Sequence, residues 1–333
     1  MNLINKKICV TGANGFIGKR LVEILYSKGY SVKVLIRNLD YIFPDNVEIF
    51  YGDLTSDFIS FENFLFDCDV IIHCAGELSD LNKMNSLHVD GTKRLLKGAS
   101  KIFFKYNKRL HWVQLSSVGA YGPPSKFQSD TRIVTEHFPD NPLGEYELTK
   151  TFSDSLVIEA GRLNQITYTI VRPSNVFGIT MKNQSLFELI NIIDRGLFFY
   201  IGKPGSIMNY IHVDNVVESL IKCAISPFEK GKIFIVSEFL SLEQFVNIVC
   251  DVLSKRKKPK LYISEPCVRF IANALERIFN FPLTQNRIDA LVNKTIYSDS
   301  SIRNELDMNY IVSLEVGLRQ MVKEYKSKID SVK

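Results

Sequence analysis

No stretch of this 333-residue chain reaches the roughly 18 uncharged apolar residues that a membrane-spanning helix needs, so none is expected. There is no Cys-x-x-Cys and no clustering of histidine with cysteine. The six cysteines, at positions 9, 68, 74, 223, 250 and 267, are scattered, several of them within apolar runs. That excludes a disulfide framework and a metal site of the zinc type, and predicts buried free thiols in a reducing, cytoplasmic setting. An apolar strand pattern starts at Ile8, so no secretory leader is expected. Internal repeats and low-complexity tracts are missing as well. Charge is only mildly one-sided: a net +5 suits an anionic ligand and gives no nucleic-acid footprint. With 46% hydrophobic and 23% charged residues, disorder is excluded, and the length suits one large domain or a domain and a half.

The informative segments begin at the N-terminus. Ile8-Cys9-Val10-Thr11 is a short apolar strand. It runs into Gly12-Ala13-Asn14-Gly15-Phe16-Ile17-Gly18, and then into Leu21, Val22, Ile24 and Leu25 at helical spacing. Strand, glycine turn and helix in that order make a dinucleotide phosphate cradle. Gly12 allows the tight turn, Gly15 lets the backbone approach a pyrophosphate, and Gly18 lets the helix pack closely. The helix start offers free N–H groups and a positive dipole end. Further on comes Tyr146-Glu147-Leu148-Thr149-Lys150. Residues four apart on a helix share a face, so the phenol and the ammonium are neighbours. A fixed positive charge there is expected to lower the tyrosine pKa from its ordinary value near ~10, making Tyr146 a proton donor or acceptor near neutral pH.

The glycine spacing, Gly-x-x-Gly-x-x-Gly, together with Tyr146 and Lys150 resembles the extended short-chain dehydrogenase/reductase family of nucleotide-sugar epimerases, dehydratases and reductases. Other segments in order resemble it too: Tyr51-Gly52-Asp53-Leu54, His73-Cys74-Ala75-Gly76, Val89-Asp90-Gly91-Thr92, and Leu115-Ser116-Ser117 followed by Tyr121-Gly122. Arg172-Pro173-Ser174-Asn175-Val176-Phe177-Gly178 and Tyr210-Ile211-His212-Val213-Asp214-Asn215-Val216 complete the series. The resemblance implies an α/β fold, a Rossmann-type doubly wound parallel sheet with a smaller mixed α/β C-terminal substrate lobe. Alternating β-type and helical runs agree: strands at 31–36, 47–50, 70–73, 111–115 and 167–171, helices at 84–106 and 143–163. Residues 1–172 are assigned to the NAD(P)-binding domain, with 211–226 returning to it. Residues 173–210 and 227–330 are assigned to the lobe.

By the same resemblance Tyr146 transfers the proton, Lys150 holds the nicotinamide ribose, and Ser117 hydrogen-bonds the substrate oxygen. The cofactor is expected against Gly12, Asn14, Gly15, Phe16, Ile17, Gly18, Arg37, Asp53, Leu54, Ala75, Gly76, Tyr146, Lys150 and Pro173. Substrate is expected at Ser117, Tyr121, Asn175 and Met208. The family's dehydratases carry an acidic pair directly after the catalytic hydroxyl, and its epimerase-reductases a cysteine there. This chain has Val118 and Gly119. That leaves hydride transfer alone. NAD-preferring members end the second strand on an acid, but here Ile36 is followed by Arg37 and Asn38. A guanidinium suits a 2′-phosphate, so NADP is favoured over NAD. Two departures stand out: Met208 where many sugar-nucleotide epimerases place a diphosphate-binding arginine, and His88 where the fourth helix usually carries asparagine. The histidine is expected to alter relay geometry and leave activity intact.

The leading expectation is an NADPH-dependent reductase of a nucleotide-linked keto sugar, with surface polysaccharide biosynthesis implied by the family. Alternatives are a nucleotide-sugar 4-epimerase that retains NAD, and a reductase of an apolar ketone resembling 3β-hydroxysteroid dehydrogenase or dihydroflavonol reductase, a reading that Met208 and Phe198-Phe199-Tyr200 keep open. A cofactor-binding sensor without turnover conflicts with the intact Ser117, Tyr146 and Lys150. A homodimer through the 84–106 and 143–163 helices, with Phe103, Phe104, Phe152 and Leu156, is expected. Lys255-Arg256-Lys257-Lys258 reads as a solvated loop, and the amphipathic run Cys267–Phe281 as a core helix of the lobe rather than a membrane or partner surface.

Overall fold

The computed structural model describes residues 6–38, 41–57, 59–124, 130–181, 184–255, 257–276 and 283–330. Seven strands form one fully parallel sheet: β1 (Lys7–Thr11), β2 (Ser31–Ile36), β3 (Glu48–Tyr51), β4 (Val70–His73), β5 (Leu110–Leu115), β7 (Ile166–Pro173) and β11 (Lys232–Val236). Their order is β3-β2-β1-β4-β5-β7-β11. The chain winds outward from β1 in one direction and from β4 in the other, so the order reverses between those strands. In doubly wound sheets this reversal, at the carboxyl ends of the strands, is where a ligand crevice lies. Because both faces are covered, the central strands are apolar throughout: Ile8, Cys9 and Val10 of β1 and Ile71 and Ile72 of β4 have no exposed surface.

Helices α1 (Phe16–Ser27) and α7 (Val213–Ile225) cover one face, with Leu21, Leu25, Val216 and Leu220 packed on Val10, Val34 and Ile72. The other face is covered by α2 (Glu62–Leu65), α4 (Gly91–Tyr106) and α5 (Glu145–Arg162), whose Phe64, Leu95 and Val157 pack on Trp112 and Ile71. Short α3 (Leu81–Met84) leads into a π-helical turn, Asn85–Asp90, which continues directly into α4. The segment read from sequence as one helix over 84–106 is therefore interrupted at His88. Phe104 and Phe152 stand exposed on α4 and α5.

The lobe has its own core. It is built from α6 (Ser185–Asp194), α8 (Leu242–Val252) and α12 (Leu314–Asp330) against the three-stranded sheet of β8 (Asn175–Phe177), β10 (Ile207–His212) and β12 (Glu238–Ser241). β6 (Arg132–Val134) pairs with β14 (Thr295–Tyr297), and β9 (Tyr200–Ile201) with β13 (Tyr262–Ile263). Helices α9 (Glu265–Glu276) and α10 (Gln285–Val292) enclose a small cluster of Ile201, Val268, Ala272 and Ile288. The lobe boundary expected at 227 is placed differently. β11 joins the large sheet beside β7, and α11 (Ser300–Leu306) sends Ile302 into the core under β1 and β2.

The expectation for Cys267–Phe281 holds on one face only. Val268 and Ala272 point inward, whereas Cys267, Phe270, Ile271 and Ala274 are exposed. Residues 277–281 of that run, and Arg256 of the basic loop, lie outside the described residues. Among the described residues no helix is long and apolar enough to cross a membrane. All six cysteines are free, and Cys267 is exposed.

Candidate active site

At the crevice, the β1–α1 turn closes on the end of β4. Gly12 has φ +68°, and a Cβ there would lie 2.7 Å from the Ala75 nitrogen and the Cys74 carbonyl, so only glycine fits. The α1 helix rests Gly18 on the Gly12 carbonyl. Its N-cap is Gly15, exposed, with no side-chain cap and no acid in the first turn, so the first N–H groups stay open to an anion. Asn14 donates to the Asn38 carbonyl (3.2 Å), and its own Oδ1 is buried without a partner. Phe16 packs into both the sheet core and the lobe core, and Ile17 is half-buried beside it.

Around this turn lie the other residues expected at a cofactor. Arg37 is exposed just past β2, and its charge reaches Lys83. Asp53 accepts from the Thr55 N–H (2.9 Å) and hydroxyl (2.8 Å), locking a turn, and Leu54 is buried against Gly91. Ala75 and Gly76 follow β4, and Pro173 ends β7, buried.

The residues expected to handle the proton lie on α5 and just after β5. Lys150 is buried and donates from Nζ to the carbonyl of Leu115, the last residue of β5, at 2.5 Å. Ser117 follows two residues later. Its Oγ accepts from the Gly119 N–H (3.0 Å), which leaves its own proton to donate. Tyr146 is in the first turn of α5, half-buried, with its ring edge-on to His88 at 5.6 Å between centroids.

Here the structure corrects the expected pKa. Burial pushes the Tyr146 phenol up to about 12, and the nearby carboxylates of Glu147 and Asp154 push the same way. Lys150, drawn to the Leu115 carbonyl, does not offset them in the free protein. Its own pKa is lowered by burial. Tyr146 is thus held as a neutral phenol, a proton donor.

Two hydrogen-bond chains tie the loop after β4 to the helical side, and their donors fix both histidine tautomers. Ala75 N–H donates to Thr11 Oγ1 (3.3 Å), which donates to His73 Nδ1 (2.6 Å). His73 Nε2–H then donates to Thr92 Oγ1 (3.0 Å), which donates to the His88 carbonyl (2.6 Å). In the second chain Glu77 N–H donates to His88 Nε2 (2.8 Å). His88 Nδ1–H donates to Thr149 Oγ1 (2.8 Å), which donates to the Glu145 carbonyl (2.8 Å). His88 therefore braces the catalytic helix from the π-helical turn. Burial holds its pKa down at about 3, so it is a neutral brace.

Behind Lys150, Arg172 and Asp154 are each 1% exposed and pair at 3.1 Å. Arg172 also grips Asp140 (2.6 and 3.0 Å), and Ser116 donates to Asp154 (2.6 Å).

Two expected substrate contacts are misplaced. Tyr121 has no exposed surface: it lies under the Arg172 guanidinium, 4.8 Å from ring to cation, among Val118, Val134 and Ile235. Met208 is buried in the lobe core beside Phe177 and Leu242. Phe198 and Tyr200 belong to that core as well. Asn175 is exposed on β8 and donates to the Asn209 carbonyl (3.0 Å).

One residue escaped the sequence reading. The Glu147 side chain lies over Gly119, its Cγ 2.5 Å from where a Cβ would stand, beside Ser117 Oγ at 3.3 Å from the same point, and its carboxylate folds back over Gly144. A carboxylate therefore does reach the neighbourhood of Ser117 and Tyr146, carried by α5 and given room by the missing side chain at position 119.

The profile of the NAD dependent epimerase/dehydratase family matches residues 8–236. The UDP-glucose 4-epimerase of Vibrio cholerae is 24% identical over 244 residues, 70% of this chain and 71% of that one. The N-acetyl-alpha-D-glucosaminyl-diphospho-ditrans,octacis-undecaprenol 4-epimerase of Escherichia coli O157:H7 is 25% identical over 272 residues, 79% and 77% of the two chains. Among solved structures, the UDP-glucose 4-epimerase of Thermotoga maritima with UDP-glucose superposes with a TM-score of 0.72. It is 19% identical and covers 97% of this chain and 99% of that one, a likeness of fold.

Proposed function

Because the chain belongs to the NAD dependent epimerase/dehydratase family, an enzyme family of the extended short-chain dehydrogenase/reductase group, we propose that it reduces the keto group of a diphosphate-linked sugar with a nicotinamide cofactor, Tyr146 giving the proton. The observation that carries this reading is the first turn of α5, which holds Tyr146 edge-on to His88 and protonated, its phenol pushed up to about 12, the form that ketone reduction consumes.

The crevice fits a dinucleotide. The uncapped start of α1 and the Gly12–Gly18 turn suit a pyrophosphate, Asp53, Leu54, Ala75 and Gly76 the adenosine half, and Lys150 with Pro173 the nicotinamide end. When bound, the reduced nicotinamide supplies a hydride to the carbonyl carbon. The electron pair of the C=O bond moves to oxygen, Ser117 donates a hydrogen bond to it, and Tyr146 protonates it. The resulting phenolate is stabilised by the buried Lys150 ammonium and regains its proton from solvent.

NADP is the preferred form in this reading, because Arg37 is exposed after β2 with Lys83 in reach and no acid stands at Ile36. Asn175 remains the residue read as a substrate contact. The names of both relatives favour a second reading, 4-epimerisation, in which the same groups first oxidise and then re-reduce one carbon with the cofactor retained. The diphosphate common to the two substrates supports the substrate class.

The test is turnover of a UDP-linked 4-keto sugar with NADPH and with NADH, followed by nicotinamide absorbance, and repeated with Tyr146→Phe. Net NADPH consumption that falls at least a hundredfold in the variant is expected. Epimerised sugar with no net cofactor change moves the second reading to first, and unchanged turnover in Tyr146→Phe sinks the mechanism.

A further inference from the structure

We infer that the substrate lobe docks on an anionic lipid surface through the outer face of α9 and the lysine loop before it. This goes beyond the reading of the active site and does not depend on it. α9 is apolar on two sides. Val268 and Ala272 point in, toward Ile201 and Ile288. Cys267, Phe270, Ile271 and Ala274, at the i, i+3, i+4, i+7 spacing of one helical stripe, point out, with Phe270 76% and Ile271 51% exposed. A soluble fold has no use for a solvent-facing Phe-Ile pair on a helix whose core obligations are met by its other side.

What lies beside the stripe selects the occupant. The loop leading through β13 into α9 carries exposed Lys257, Lys258 and Lys260, then exposed Leu261 and Tyr262, and exposed Lys203 lies on the turn that faces Glu265. Of these lysines, Lys258 is paired, with Asp251 at 2.7 Å. The acids on the helix side, Glu265 and Asp289, share Arg269 at 2.9 and 2.7 Å, and Glu243 accepts from the Tyr262 hydroxyl at 3.0 Å. An apolar stripe flanked by the exposed Lys203, Lys257 and Lys260 is complementary to negatively charged headgroups over acyl chains. The stripe is narrow: 12 residues make a helix about 18 Å long. Shallow insertion of Phe270 and Ile271 with the lysines at the headgroups suits this size, each lysine adding about fivefold in affinity near an anionic surface.

The full-length protein should co-sediment with phosphatidylglycerol-containing vesicles at low salt. Binding should be at least tenfold weaker to pure phosphatidylcholine vesicles and at high salt. Phe270→Ser/Ile271→Ser should lower binding about tenfold and, separately, Lys257→Glu/Lys258→Glu/Lys260→Glu at least about a hundredfold, each leaving Tm and cofactor affinity unchanged. A polarity-sensitive dye on the exposed Cys267 should shift to shorter wavelength on adding the anionic vesicles, which places α9 itself at the lipid. Overturning results are equal binding to neutral vesicles, no binding to anionic ones, and a dye that does not respond. A Phe270→Ser/Ile271→Ser variant that loses several degrees of Tm, or converts a dimer to monomer without a change in lipid binding, overturns it too, since the stripe is then a packing or protein interface.

Discussion

At Tyr146 two influences compete, and their sizes decide the chemistry. A cation four residues along a helix favours phenolate, but Lys150 spends its proximity on the Leu115 carbonyl, while burial and the Glu147 charge favour phenol. Glu147 is the adjustable part. Glu147→Gln keeps the side chain over Gly119 and removes its charge, so the phenol pKa should fall by about one unit. The proposed reduction uses the protonated phenol, so activity should decline as pH rises through that pKa. The basic limb of the kcat/KM profile should therefore move to lower pH in the variant, with little change in rate at neutral pH. A superimposable limb would mean that the Glu147 charge does not reach the phenol. The exclusion of acid–base chemistry drawn from Val118 and Gly119 holds for those two positions and not for the space above them.

Between elements, β7 is fastened to α5 by the buried Arg172–Asp154 pair, with Asp140 and Ser116 completing it. Asp154 lies one helical turn beyond Lys150, so this tie sets the rotation of the catalytic helix. Asp154→Ala leaves a buried guanidinium with half its partners and should cost about 3 kcal/mol, read as a lower urea midpoint at unchanged slope. Replacing the pair together, Arg172→Met with Asp154→Leu, should cost less than the single change. An Asp154→Ala midpoint equal to that of the parent would remove the tie from the account.

None of this pairing was visible in the sequence, although the elements that carry it were. The apolar runs at 31–36 and 70–73 are β2 and β4 residue for residue, because a parallel sheet covered on both faces demands continuous apolar strands and leaves an unambiguous pattern. The glycine turn was legible for the same kind of reason, since Gly12 answers a local backbone requirement. Tyr121 and Met208 were misplaced because their facing is set from far along the chain. Ile235 and Tyr297 close over the first, and α8 and α12 close over the second. The π-helical turn at His88 was illegible because its residues continue the helical spacing on either side. Only the bonds from His88 to Glu77 and Thr149 show why the turn bulges there.

For the molecule as a whole, three neutral histidines sit in three parts of the nucleotide domain: His73 under the crevice, His88 on the π-helical turn, and His111 on β5, where it bridges Thr167 (2.9 Å) and the Cys223 carbonyl of α7 (3.0 Å). Burial depresses all three, His88 to about 3, His111 to about 4 and His73 well below its ordinary value. A depressed folded-state pKa means that the unfolded chain binds the proton first. The stability tied to these groups is present above about pH 6.5 and drains away as pH falls toward the folded-state values. Each can remove up to about 1.4 kcal/mol per pH unit, against a total of roughly 5–15 kcal/mol for a folded domain. The buried Asp154, whose carboxyl is pushed up by burial, works the other way and offsets a part of one histidine. Tm should therefore be flat from pH 8 to about 6.5 and then fall steeply by pH 5, before most carboxylates protonate. His111→Gln, which preserves a donor for Cys223 and an acceptor for Thr167, should make the slope shallower without touching the active site, His212 being depressed by burial as well. A Tm unchanged between pH 7 and 5 would show that these rings are not held neutral. The tautomer assignments that tie the β4 loop to the catalytic helix would then have to be redrawn.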